Sequence, residues 1–332
     1  MALPLAATTV RFFFRVVTPI IAVILVPAIR CADLAEAERL VRSGKLEEAR
    51  AVFEVVLKTE PKYAAALAGL GWIAMRQGRL DDSVKLLERA VALDAANCRY
   101  SMWLGTSYGV QASRASLLSK PGLASKCRRA LEKAVELDPK DFEAAISLSN
   151  FYLLAPGFLG GGAEKALKLA RDFTAYDPLR GALFEAQVQE HEKKWTEAGA
   201  AVRRAIAIQP DHLDANLRLG MVLVSAGEYE PAFAHFKKFA ADRPEHVAIC
   251  QFHIGRAASI SGLHAEEGIE ALRAFIAASE GKRGPSPADG YFRLGTIEEK
   301  RGRAADARAA YEMALKLDPK NRGAADALKK LK

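Results

Sequence analysis

Two distant stretches of this chain, "RLGMVLVSAGEYEPAFAHFKKFAADRP" (218–244) and "RLGTIEEKRGRAADARAAYEMALKLDP" (293–319), align without a gap. They keep leucine, glycine, alanine, an aromatic residue and proline in step. A third stretch, "GLGWIAMRQGRLDDSVKLLERAVALDA" (69–95), falls on the same pattern. A recurring period constrains a fold strongly. Each copy builds the same small unit, and a unit too small to bury its apolar face alone stacks on its neighbours. Alanine is abundant and β-branched alternation is scarce, so each unit is expected to be helical. The repeated residue types have physical roles. Small residues let two helices approach, and the aromatic or leucine fills the space between them. Glycine permits a turn conformation other residues resist. Proline opens the next connection because it cannot continue a helix.

The pattern can be followed position by position. From Leu213 it gives Leu219, Gly220, Gly227, Ala232, Phe236 and Pro244. From Ala288 it gives Leu294, Gly295, Gly302, Ala307, Tyr311 and Pro319. From Ala64 it gives Leu70, Gly71, Gly78, Ser83 and Leu87, with Ala95 in place of the proline. From Arg30 it gives Ala37, Leu40, Gly44, Ala49, Phe53 and Pro61. This arrangement resembles the tetratricopeptide repeat, a helix–turn–helix unit of about 34 residues. The resemblance implies an all-α, right-handed superhelical solenoid of about eight such units over 33–321. Their expected bounds are 30–63, 64–97, 98–141, 142–180, 181–212, 213–246, 247–287 and 288–321, with 322–332 as a polar-faced capping helix. Units 98–141 and 142–180 have long turns, 181–212 is short, and 247–287 carries the loop "EGKRGPSPAD".

Residues 1–32 stand apart. The apolar run "VVTPIIAVILVPAI" (16–29) follows Arg11 and Arg15. It has the length of a signal-peptide core and is short for a membrane span of about 20 residues. "VPA" (26–28) offers a cleavage site after Ala28. An uncleaved anchor lengthened by Phe12–Phe14, a mitochondrial presequence, and lipidation at Cys31 are the rivals; Arg30 stands against the last. The favoured expectation is an exported, periplasmic or envelope-associated protein, and membrane attachment through the N-terminus stays open.

The formal charge is +8, but the charges are interspersed, as in "RALEKAVELDPKD". That pattern is a solvated helical surface rather than a nucleic-acid stripe, so no nucleic-acid partner is expected. "FYLLAPGFLGGGAEKALKLA" (151–170) has the outline of a phosphate-binding loop. Its last glycine, Gly162, is followed by Ala163, Glu164 and Lys165 rather than lysine and a hydroxyl residue, and the glutamate would repel phosphate. It is expected to be the end of one helix, an enlarged turn and the start of the next. "HEKKW" (191–195) has tryptophan where a zinc-binding helix needs its second histidine. The four cysteines show no metal spacing, Cys127 sits at a small-residue packing position, and a Cys98–Cys127 bridge is not expected. No catalytic residue, metal site or cofactor is indicated.

The resemblance implies a non-enzymatic interaction scaffold or assembly factor whose first helices line a concave groove for a protein or peptide partner. The matching groove positions are Trp72, Arg76, Met102, Thr106, Asn150, Gln189, Met221, Phe252, Arg256, Phe292 and Thr296; several of these could instead pack between repeats. The lysine and asparagine pattern with which some family members hold acidic C-termini is absent, since Leu34, Glu38, Ala68 and Trp72 stand there. An extended non-protein ligand such as a glycan or cell-wall fragment is the alternative. Finally, the long turns 111–125 and 156–162 are expected side by side as a raised lip bearing Leu117, Leu118, Phe158 and Leu159. These four either brace the lip or form a docking patch. Bracing is the preferred expectation, because a free apolar patch invites aggregation.

Overall fold

The computed structural model describes residues 35–41, 43–278 and 284–331, so the expected N-terminal signal or anchor lies outside the described residues. Among the described residues the protein is all-helical, with no strand. It divides into two compact units that meet in sequence at Gly162 and Ala163.

The first unit contains α1 (35–41), α2 (Leu46–Thr59), α3 (Ala64–Arg76), α4 (Leu80–Leu93), α5 (Cys98–Arg114), α6 (Lys120–Leu137) and α7 (Phe142–Leu154). A 3-10 turn, Gly157–Leu159, follows α7. The second unit contains α8 (Ala163–Phe173), α9 (Pro178–His191), α10 (Trp195–Ile208), α11 (Leu213–Ala226), α12 (Tyr229–Asp242), α13 (Val247–Ser261), α14 (Ala265–Ala278), α15 (Pro287–Lys300), α16 (Ala304–Leu317) and α17 (Arg322–Lys330). Successive helices pack as antiparallel hairpins, and neighbouring first helices touch, as α11 does α13 and α13 does α15.

In five hairpins the repeated glycine and its aromatic or leucine partner form the internal contact. Gly220 on α11 faces Phe236 on α12 so closely that a Cβ at 220 would sit 2.1 Å from the ring. Gly71 meets Leu87, Gly105 meets Leu131, Gly255 meets Leu272 and Gly295 meets Tyr311 in the same way. Phe236, Leu87, Leu272 and Tyr311 are fully buried there. Burial of this kind contributes about 1.5–3 kcal/mol per side chain. Ser83 occupies an alanine position between α4 and α5, and its hydroxyl is satisfied by Ser107, Oγ to Oγ 2.9 Å.

The two helix types begin differently. Several first helices use side-chain caps: Asp141 accepts from the Ala144 amide, Asp177 from Arg180, and Asn321 does the same for the terminal α17. Ser286 and Asp289 form a capping box on α15. Most second helices instead follow a left-handed residue two positions before their start, which is glycine at 44, 78, 227 and 302. Before α10 the same place is held by Lys193, with φ of 57°. "HEKKW" is therefore a tight hairpin turn in which Trp195 opens the second helix.

Two expectations about long turns resolve differently. The segment 111–125 is mostly not a turn: α5 continues to Arg114 and α6 starts at Lys120, leaving 115–119 between them. The inserted residues lengthen helices that already bury Ala112 and Ala124, which is how extra chain keeps its backbone hydrogen bonds. The segment 156–162 is a real turn. Phe151–Leu154 are helical, so the strand of a phosphate loop does not exist, and the Gly162 amide donates to the Tyr152 carbonyl at 2.7 Å.

Candidate functional site

First helices present one face to their neighbours in each unit, and the residues on it fall into three groups. Met102, Gln189 and Phe252 are buried at 4, 5 and 6% exposure, which corrects their assignment to an open groove: they fill space between helices. Phe252, for example, packs against Phe275 at 5.0 Å between ring centres. Trp72, Thr106, Met221, Arg256, Phe292 and Thr296 are half-buried, while Arg76 and Asn150 are exposed. The hydroxyls of Thr106 and Thr296 are engaged in their own helices, donating to the carbonyls of Met102 and Phe292.

A register emerges that the repeat pattern alone did not show. The residue two before each first-helix glycine turns toward the residue just after the glycine of the preceding first helix. Trp103 meets Trp72 this way, 6.0 Å between ring centres and tilted by 47°. The guanidinium of Arg76 lies 4.8 Å from the Trp72 ring centre and that of Arg99 5.9 Å from that of Trp103. In the second unit the same register brings His253 and Met221 into one cleft and sets Arg293 within reach of the Arg256 charge. Trp103, Arg218, His253 and Arg293 are not among the expected groove positions, most of which fall three before or one after the glycine. Their common offset, two before glycine, is the signal that would have found them.

The second unit holds a polar face of this kind. A cleft of about 550 Å³ is lined by Glu190 of α9, Arg218 and Met221 of α11, and His253 and Arg256 of α13, with Trp195 of α10 at its side. Arg218 Nε stands 3.1 Å from Glu190 Oε1, and its NH1 donates to the Leu183 carbonyl. The Arg218–Glu190 contact is an ion pair without hydrogen-bond alignment, so Glu190 Oε1 keeps unused acceptor capacity. Burial raises the Glu190 carboxyl above its ordinary value, and Arg218 partly offsets this. His253 is pushed down to about 4 by burial and then by the Arg256 charge, so its ring is neutral at pH 7. Its Nδ1 has no partner.

Arg256 is the group that stands out. Its guanidinium is half-buried, its Nε has no acceptor, and among the described residues no carboxylate reaches it. Burial lowers it from the ordinary arginine value; Arg293 is lowered too, by burial and then by the Arg256 charge, while Asp289 acts the other way. Two cations on successive helices with little anionic compensation make a locally positive face, and a desolvated guanidinium favours a planar, two-oxygen acceptor.

The first unit carries a second cleft, of about 460 Å³ and largely apolar, between the α5–α6 hairpin and α7. Asn150 and Leu159 line it. Leu117, Leu118 and Phe158 are 85, 96 and 84% exposed, so the bracing preferred from the sequence is not formed by these three side chains. Cys127, at the bottom of that cleft, is buried; burial pushes its thiol up to about 12, which makes it inert.

Residues 34–97 and 261–322 match the family described as Tetratricopeptide repeat. Over 121 residues, 36% of the chain, it is 28% identical to the protein CTR9 homolog of Arabidopsis thaliana. Over 77 residues, 21% of the chain, it is 34% identical to the cellulose synthase operon protein C of Komagataeibacter xylinus. The chain spans a tenth or less of these relatives, 10% and 6% of their lengths. In fold it is similar to a tetratricopeptide repeat protein from Parabacteroides merdae, with a TM-score of 0.51 and 15% identity over 91% of this chain and 98% of that one. With a glycine packed against an aromatic or leucine side chain in hairpin after hairpin, these matches support tetratricopeptide repeats over 34–97 and 261–322 and the fold of a helical repeat solenoid.

Proposed function

We propose that the protein is a non-enzymatic scaffold whose second unit holds an extended segment of a protein partner, with a partner carboxylate seated on Arg256. Tetratricopeptide repeat proteins are generally protein-interaction scaffolds, which supports the class. One observation carries the specific reading. Arg256 is half-buried beside His253, whose Nδ1 has no hydrogen-bond partner, and no described carboxylate answers its charge. Half-burying a guanidinium without a counter-charge is unfavourable, and an acidic side chain or C-terminal carboxylate from a partner removes that penalty. The glycan alternative has less support. Trp72 and Trp103, the aromatic pair best suited to stack on a sugar, are already engaged with each other and with Arg76 and Arg99. The setting we propose is the cell envelope, on the strength of the apolar run 16–29 behind Arg11 and Arg15. Mass spectrometry of the protein from its host is expected to show a start near Ile29, and an intact Met1 in a soluble pool would contradict export.

The binding test is an immobilised library of random peptides probed with the full chain and with Arg256→Glu. Selection of peptides enriched in Asp and Glu, with affinity reduced about tenfold or more in the variant, is expected; tenfold corresponds to about 1.4 kcal/mol. Selection of neutral peptides, or equal binding by the variant, would refute the role of Arg256.

A further inference from the structure

The α5–α6 hairpin has a property none of its neighbours shares. From Ala95 to Leu131 the sequence contains no acidic residue, while Arg99, Arg114, Lys120, Lys126, Arg128 and Arg129 all fall within it. At the tip of this hairpin Leu117 and Leu118 stand 85 and 96% exposed, between Arg114 and Lys120. Leu154 and Phe158, at the end of α7 and on the 3-10 turn, add side chains 77 and 84% exposed. The apolar cleft lined by Lys120, Ala124, Leu154 and Leu159 connects the two elements. Of the acids on α4 and α6, Asp82 pairs with Arg79 and Glu132 with Arg128, while Asp81 and Glu88 accept from the neutral donors Gln111 and Tyr108. Arg99 pairs with Glu38, which leaves Arg114, Lys120, Lys126 and Arg129 of this hairpin without an ion pair among the described residues.

We propose that this tip docks the protein on an anionic lipid bilayer. Leucines that protrude almost completely from a convex turn suit a medium that closes around them more than a preformed pocket, and acyl chains do so. Basic residues set behind the apolar tip lie at the depth of the headgroups, where each strengthens attachment to anionic lipid and loses effect as salt rises. An apolar insertion plus a polybasic collar gives the two signals that stable, reversible attachment requires. The same features explain why Leu117, Leu118, Leu154 and Phe158 stand further out than any other exposed large apolar residue described, the next being Val55 at 58%. This surface lies in the first unit and shares no residue with the Arg256 cleft.

The test uses the full chain with vesicles of phosphatidylcholine and phosphatidylglycerol, and with phosphatidylcholine alone, in co-sedimentation at low and high salt. Expected are binding to the mixed vesicles and a loss of about tenfold on raising salt to a few tenths molar. The variant Leu117→Ser with Leu118→Ser and Phe158→Ser is expected to bind about tenfold more weakly with an unchanged melting temperature, since these side chains bury almost nothing. Arg114→Glu with Lys120→Glu is expected to lose the preference for anionic vesicles. A local readout separates the tip from any contribution of residues 1–34. In Leu118→Trp, the fluorescence added over wild type is expected to be quenched by brominated acyl chains. Absence of vesicle binding, equal binding to neutral vesicles, undiminished binding by the triple serine variant, or an unquenched Trp at 118 would each overturn the proposal. A protein partner lost with the triple variant while vesicle binding persists would also overturn it, by assigning the tip to a protein contact.

Discussion

Ser83 and Ser107 show how one position can depart from a repeat pattern and be compensated. The pattern asks for alanine at 83, and the hydroxyl found there is completely buried. It is tolerated because Ser107 supplies the other half of a hydrogen bond. Ser83→Ala is expected to cost about 1–2 kcal/mol by leaving Ser107 unpaired, whereas Ser83→Ala with Ser107→Ala is expected to be near neutral, as chemical denaturation would measure. Equal costs for the single and double changes would show that the bond contributes nothing. His253 gives a pH signature. Its folded value, about 4, lies below the ordinary histidine value of about 6.5, so the unfolded chain binds the extra proton between those limits. The folded form therefore loses stability as pH falls from about 6.5 toward about 4, by on the order of 2–3 kcal/mol from this group. The groups around it are Arg256, Arg218 and Glu190, and carboxylates elsewhere titrate in the same range. The comparison is therefore with His253→Gln, whose acid loss should be smaller by that amount. Identical pH dependence in the two proteins would mean His253 is not held neutral.

At the scale of elements, helices, hairpins and their internal contacts were legible, because glycine at 220 and phenylalanine at 236 make sense only when two helices touch. The turn before α10 lacks the glycine of the pattern: Lys193 holds the left-handed position where four other turns have glycine. A non-glycine residue there carries strain, so Lys193→Gly is expected to raise stability by up to about 1 kcal/mol. A thermal melt with no rise would show the strain is relieved locally. The α5–α6 connection was illegible in the other direction. An insertion in a repeat can lengthen a turn or its flanking helices, and residues such as Gln111 and Ser125 suit both. Tertiary burial of Ala112 and Ala124 decided for helix. The face lining each cleft was only partly legible. Whether Met102 or Phe252 looks outward depends on rotation of a helix between two neighbours, which sequence spacing fixes only to within a position. Of the charges that give the second unit its character, Arg256 falls on an expected groove position, while Arg218 and Arg293 read in sequence as ordinary helical surface.

At the scale of the whole molecule, the repeats supply the framework of each unit, and the proposed function lies in departures from the repeat. Most ion pairs join exposed partners and contribute little, each on the order of 0–1 kcal/mol. What distinguishes this chain is the charge of Arg256, which no carboxylate among the described residues answers, on one unit and a basic, apolar tip on the other. The central claim is that Arg256 receives a partner's carboxylate. Photo-crosslinking from Met221, which shares the cleft with Arg256, tests it most directly in the native host. With benzoylphenylalanine at 221, the account predicts a discrete protein adduct whose crosslinked segment contains Asp, Glu or a free C-terminus. The adduct should disappear with Arg256→Glu and return when the partner's acid is changed to lysine. An adduct of equal yield in the Arg256→Glu protein, or a crosslinked segment without an acidic group, would contradict it.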